Sequence, residues 1–311
     1  MWTNWLSRSA IVGVGLCSTL ALTLSGCGGQ PSDSSTAVVM PEPNSLTTKA
    51  APGGTAAPSA SAPSDTPAST ASTSPVKAEG WGTLKGQVVF GGDPPAVAIL
   101  QEQGKAAKDP NVCAKDGPIK SERLVVDPAG KGVKNVLVYL PRPTAVNADA
   151  KKAAGAAKAD FDQKGCVFEP HVMAVMAGTP LTIKSSDPVN HNVNVKLKNS
   201  TFNKIVTAAE ASPFTPSLPE RTPGQVICDI HPWMSSWWMV LDHPYFAVTD
   251  DKGYFEIKNV PAGTQKVVVW QEAVAKGGFV TPSSGEDVTV KANDSTIKDF
   301  TIDPAKLLPA G

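Results

Sequence analysis

Cys228-Asp229-Ile230-His231-Pro232-Trp233-Met234 is the stretch on which the reading of this chain turns, together with His191 on a separate apolar segment upstream. A thiolate, two imidazoles and a thioether are thereby available, three of them on one short loop. This is the donor set of trigonal copper sites. Soft sulfur favours Cu(I), imidazole tolerates Cu(II), and a rigid β-scaffold that holds one geometry for both keeps reorganisation on electron transfer small. Zinc takes further Cys, His or carboxylate in place of a thioether, and it does not change oxidation state. Singly, each residue has a bland reading: a secreted cysteine is usually half of a disulfide, and a histidine before proline a turn residue. The spacing of the four together gives the metal reading its weight. Met239 competes with Met234 as the thioether, and the spacing favours Met234.

Around this loop the chain reads as short strands. Segments 84–90, 133–140, 171–177, 180–184, 193–197, 225–228, 239–241, 254–257, 266–270, 287–290 and 298–302 are β-branched and partly alternating, with Gly, Pro, Asn and Asp between them at hairpin-like intervals, as in Asp250-Asp251-Lys252-Gly253. Helical composition is confined to Ala148–Ala159, which reads as an Ala/Lys-rich loop or short surface helix. With no βαβ alternation and no phosphate-binding glycine pattern, an all-β sandwich class follows. The four histidines contain no His-x-His pair and the ligand loop no second cysteine, which excludes multicopper-oxidase and binuclear copper centres.

The Cys-x-x-His-Pro-x-Met loop resembles that of amicyanin among the blue copper proteins. Asn190-His191-Asn192-Val193 resembles the His-Asn-Val strand of the same family, and Phe168-Glu169-Pro170 with Ala177-Gly178-Thr179-Pro180-Leu181-Thr182-Ile183 its early strand pair. The resemblance implies a cupredoxin-like Greek-key sandwich over 161–246 and one type 1 copper ion, with His191, Cys228 and His231 as strong ligands and Met234 axial. Asn192 would tie the His191 strand to the loop, and Pro232, which removes a backbone N–H near the thiolate, would tune the potential. Val226 stands where the family usually carries an aromatic, two residues before the cysteine.

A second resemblance lies outside this segment. Trp81 to Val88, Gly132 to Leu140 and Val248 to Thr264 resemble the strands of carboxypeptidase regulatory-like domains. The expectation is a small immunoglobulin/transthyretin-like sandwich whose first strands fall in 81–145 and whose remaining strands fall in 247–307, on either side of the 146–160 loop and the copper segment. The competing reading makes 81–145 the N-terminal strands of an enlarged cupredoxin.

Composition sets the compartment. Lys plus Arg and Asp plus Glu are 28 each and aromatics only 6%, which excludes a basic nucleic-acid binder, an acidic disordered chain and a polytopic membrane protein. Arg8 followed by an apolar run to Leu24 reads as a signal peptide over 1–26, and Leu24-Ser25-Gly26-Cys27 resembles the lipobox of bacterial lipoproteins, implying lipidation of Cys27. Residues 27–80, rich in Ser, Thr, Ala, Pro and Gly, read as a disordered tether. Gly28 in place of Asp favours the outer membrane. Cys17 leaves with the leader; once Cys27 carries lipid and Cys228 metal, Cys113 and Cys166 remain as a disulfide pair, against the weaker alternative of a second metal site with His171. Trp233, Trp237 and Trp238 divide between core packing and an apolar surface at the His231 edge where a redox partner would dock. His171 and His243 read as structural.

The expected function is a lipid-anchored periplasmic electron carrier, not an enzyme, with a protein redox partner in the envelope and the bilayer as anchor. Its competitor is a non-redox lipoprotein whose sandwiches bind protein or glycan, the copper site being structural, for storage or vestigial.

Overall fold

The computed structural model describes residues 79–309. The leader expected over 1–26, Cys27 and all but the last two residues of the tether expected over 27–80 lie outside them. Among the described residues no helix is long and apolar enough to cross a membrane.

In chain order the strands are β1 (Trp81–Phe90), β2 (Ile99–Gln101), β3 (Ile119–Lys120), β4 (Leu137–Tyr139), β5 (Ala159–Lys164), β6 (Val167–Glu169), β7 (Val172–Met176), β8 (Leu181–Ser185), β9 (His191–Lys196), β10 (Thr201–Val206), β11 (Ala211–Phe214), β12 (Gly224–Ile227), β13 (Ser235–Leu241), β14 (Phe246–Val248), β15 (Tyr254–Pro261), β16 (Gly263–Trp270), β17 (Glu286–Val290), β18 (Ser295–Ile297) and β19 (Phe300–Ile302), with one α-helix, α1 (Ala148–Gly155), between β4 and β5. The described chain is therefore all-β in class.

Four sheets stack face to face. Sheet β10-β9-β12-β13-β7 packs on sheet β11-β8-β5-β6, and between them lies a core built on Phe161, Phe168, Ile183, Val193, Val226 and Trp238. Trp238 is fully buried and meets the Phe161 ring edge-on at 4.7 Å, a favoured aromatic geometry. In the second sandwich, β1 pairs with β15, β18 and β19, opposite sheet β14-β4-β16-β17. Strand β1 alternates strictly, with Leu84, Val88 and Phe90 turned inward, as a strand with one wet face should. Residues 81–90 and 137–139 thus pair with strands from 246–302, not with those of 159–241.

The middle two sheets are buried on both sides, which explains their uninterrupted apolar runs. On β4 and β16, Val138, Val267 and Val269 face one core while Leu137, Tyr139, Val268 and Trp270 face the other sandwich, where they meet Val172, Met239 and Leu241. Consecutive Trp237 and Trp238 take opposite faces, as strand geometry requires: Trp238 enters the first core, whereas Trp237 packs on Trp270 with ring centroids 5.1 Å apart.

Several expectations change. Helix α1, capped by the Asn147 side chain accepting from Ala150 N–H, stops at Gly155; Ala159, expected to close it, opens β5, which lies parallel to β8. Burial of Phe161 outweighs the helical preference of the alanines before it. Strands β10 and β11 carry too few buried residues to stand out in the sequence. The turn Asp250–Gly253 is present, but it joins β14 and β15, which belong to different sheets, so it is not a hairpin. Gly253 sits at φ +79°, and a Cβ there would lie 2.4 Å from the Val88 carbonyl oxygen. Cys113 and Cys166 form a disulfide, which ties the irregular 91–135 segment to the first sandwich and removes about 4 kcal/mol of loop entropy from the unfolded chain. The donor group that contains both cysteines includes His231 and not His171; His243 is buried and accepts from Tyr245 N–H.

His171 clamps the two sandwiches. Its Nε2 bonds Glu272, whose other oxygen accepts the Trp237 indole N–H at 2.7 Å. Burial disfavours the imidazolium, but the Glu272 hydrogen bond and charge, with Glu122 behind, outweigh it and hold the His171 pKa above its ordinary value. A pKa raised on folding stabilises fully below the unfolded value of about 6.5 and fades as pH rises through the folded one. Glu272→Gln should therefore lower Tm more at pH 6 than at pH 9 in paired melts; an equal loss at both would show that the Trp237 bond alone matters.

Candidate metal centre

Strand β9 opens with His191, and β12 delivers Cys228 into a tight loop. That loop closes on itself: Met234 N–H donates to the His231 carbonyl at 2.9 Å, and Cys228 N–H to that of Met234 at 3.2 Å. Strand β9 fastens it from the side. Asn192 Oδ1 accepts Asp229 N–H at 3.2 Å, and Asn194 Nδ2 donates to the Asp229 carboxylate at 2.9 Å.

The loop geometry brings the donor atoms of His191, Cys228 and His231 within 4.8 Å of one another. His191 and His231 are fully buried and Cys228 is 2% exposed. The two imidazole Nδ1 atoms face each other at 3.0 Å, and Cys228 Sγ lies 3.7 Å from His231 Nδ1. The sulfur also accepts the backbone N–H groups of Asn192 and His231 at 3.3 and 3.4 Å. Met234 lies in the same core as Cys228, whereas Met239 lies on the other side of the sheet, between the sandwiches. Pro232 is exposed at the outer bend of the loop.

Both imidazoles are oriented from behind. His191 Nε2 is 2.8 Å from Asp187 Oδ2, a carboxylate that also accepts the N–H groups of Gly165 and Cys166. His231 Nε2 is 2.9 Å from Asp109 Oδ2. An ionised carboxylate only accepts, so each Nε2 donates and each Nδ1 turns a lone pair inward. Two lone pairs and a thiolate pointing into one dry space repel unless a positive charge sits among them. A soft or borderline cation fits this donor set. In the metal-free protein a proton takes that place. Burial opposes the charged form of His191, but the hydrogen bonds it donates to Asp187 and Cys228 push its pKa up to about 9. Burial likewise works against the Cys228 thiolate, and its contacts with the His191 and His231 rings and the two backbone amides bring its pKa down to about 6. Asp187 is held below the usual carboxylate range despite its burial, by His191 and the Cys166 and Gly165 amides.

No family model matches this chain, and no curated protein matches it. Similar solved structures are cupredoxins and a copper nitrite reductase. Amicyanin from Paracoccus versutus is 18% identical, with 34% of this chain and 98% of that one covered, at a TM-score of 0.24. A purple cupredoxin from Nitrosopumilus maritimus is 17% identical, over 26% and 98%, at 0.23. The Cu-containing nitrite reductase from Thermus scotoductus SA-01 is 21% identical over 27% of this chain, at 0.25, and the chain spans only 22% of its length.

Asp109 and Asp187 are the residues that sequence reasoning missed. Asp187 stands four residues before His191, a spacing that could have drawn attention to it. Asp109 lies in a segment without periodicity, where nothing local marks it. The His231 edge, expected to form part of a docking surface, is instead closed: the ring is fully buried under Asp109 and beside Trp233, whose indole N–H donates to the Cys166 carbonyl at 3.0 Å.

Cys228 should ionise early. Thiolate absorbance of the metal-free full chain, as the difference from Cys228→Ser, should rise with a midpoint near 6, so that most of the group is thiolate at pH 7. A midpoint at or above the ordinary value of about 8.5 would contradict the site's electrostatics.

Proposed function

We propose that this protein is a type 1 copper protein that carries single electrons and is not itself a catalyst. The observation that carries the reading is the inward-facing set of His191 Nδ1, Cys228 Sγ and His231 Nδ1 within 4.8 Å, buried and held from behind by carboxylates. Copper bound there would supply one-electron Cu(II)/Cu(I) chemistry. Cys228 would contribute the thiolate, His191 and His231 the imidazoles, and Met234, the thioether buried in the same core, the weak fourth donor. The protein's own part is to keep this set in one arrangement for both oxidation states. The loop's internal hydrogen bonds, the Asn192 and Asn194 links to Asp229, and the two amides on the sulfur all serve that rigidity. A site filled by four protein donors has no position left for a substrate.

In this reading the strands of 159–241 form a cupredoxin-like unit inserted in a carboxypeptidase regulatory-like sandwich. The pairing of β1 and β4 with β14, β15 and β16 supports it. The lipobox-like Leu24-Ser25-Gly26-Cys27 and the tether after it support an anchored protein on the periplasmic face, delivering electrons to or from a partner in the envelope.

Cu(II) added to the full chain should produce an intense visible thiolate-to-copper charge-transfer band. Cys228→Ser should abolish it, and Met234→Ala should shift it without removing it. A copper-replete protein with no such band would contradict electron transfer and leave a lipid-anchored binding module.

A further inference from the structure

We propose that Asp109, locked in place by the Cys113–Cys166 cross-link, is a positioning residue for His231: it fixes which nitrogen His231 offers to the metal, strengthens that donor and seals the ring from solvent. The inference rests on the reading of His231 as a copper ligand.

Asp109 belongs to the 91–135 segment, which contributes no strand to the sandwich that holds the site. Its backbone is left-handed, at φ 47°, a conformation Asp tolerates better than most residues because its short side chain bonds locally. Its carbonyl accepts the N–H groups of both Val112 and Cys113 at 2.8 Å. One residue therefore starts a tight turn with its backbone and reaches His231 Nε2 with its side chain, at 2.9 Å. The turn cannot drift away, because Cys113 is bonded to Cys166.

Cys166 connects the same device to the other ligand. Its N–H donates to Asp187 Oδ2, the oxygen that holds His191 Nε2. The disulfide sulfurs and a His231 ring nitrogen lie within 4.8 Å of one another, as do Cys166, Asp187 and His191. One cross-link thus sits between two carboxylate–imidazole pairs, one on each histidine. Asp109 is the outermost member of this chain: its side chain is 42% exposed, whereas the His231 side chain is fully covered.

Two consequences follow. A carboxylate on the remote N–H raises the basicity of the ligating nitrogen, and a more basic donor favours Cu(II) over Cu(I). The loop histidine also gives up its solvent edge, so the group that faces water on the path from the metal through His231 is a carboxylate and not a ring.

The test uses the full chain as wild type, Asp109→Asn and Asp109→Glu, with two readouts. The first needs no metal: long-range nitrogen–proton NMR of the imidazoles in metal-free protein. Wild type should show His231 as the Nε2–H tautomer with slow N–H exchange, and Asp109→Asn should speed that exchange and leave His191 unchanged. The second is copper: Asp109→Asn should weaken Cu(II) binding by about tenfold or more, leave Cu(I) binding less affected and so raise the reduction potential. Asp109→Glu should restore part of both, with Tm similar in all three. Unchanged His231 exchange, or an unchanged potential in a variant that takes up copper, would overturn the proposal. A wild type that binds no copper would contradict the copper reading instead, and the imidazole spectra distinguish the two failures.

Discussion

Two imidazole nitrogens are held 3.0 Å apart beside the buried Cys228 sulfur. Left alone, the three donors would separate or turn toward water, since lone pairs and negative charge repel at that distance. They are kept together because each ring is pinned at its far nitrogen by a carboxylate, and the sulfur by two backbone amides. The repulsion is built into the fold, and a proton or a cation relieves it.

Most of the surrounding architecture serves to hold that arrangement. Strand β9 supplies His191 and, through Asn192 and Asn194, the fastening for the loop. Strands β12 and β13 enter and leave the loop in register, with Val226 opposite Ser236, and Trp238 anchors β13 in the core below. The second sandwich covers the other face of β7 and β13, where Tyr139 and Trp270 meet Met239 and Leu241, so the sheet that carries His191 and Cys228 is packed on both sides and resists bending. The 91–135 segment adds little regular structure but delivers Asp109 and one half of the disulfide.

Legibility from sequence followed the range of the interactions. The all-β class, the β1 and β16 strands and the ligand loop were visible because each is a local pattern: alternation, apolar runs, or donors at short spacing. The pairing of Cys113 with Cys166 followed from elimination among five cysteines. Edge strands β10 and β11 were invisible because they bury few side chains, and β5 was masked by the alanine-rich stretch before it. Asp109 was beyond reach in principle: its contact with His231 exists only because a disulfide carries a distant, aperiodic turn over the site. The same contact explains why a docking surface was expected at His231, since nothing local to Cys228–Met234 reveals what lies on top of it.

The proposed function requires Cys228, His191 and His231 to act together as the ligands of one copper ion. X-ray absorption at the copper edge of the full chain loaded with one equivalent of copper would read those ligands out. One short copper–sulfur contact and two imidazole scatterers, retained with little change when the protein is reduced, is the predicted result. A first shell made only of nitrogen and oxygen, or one that rearranges on reduction, would contradict the account.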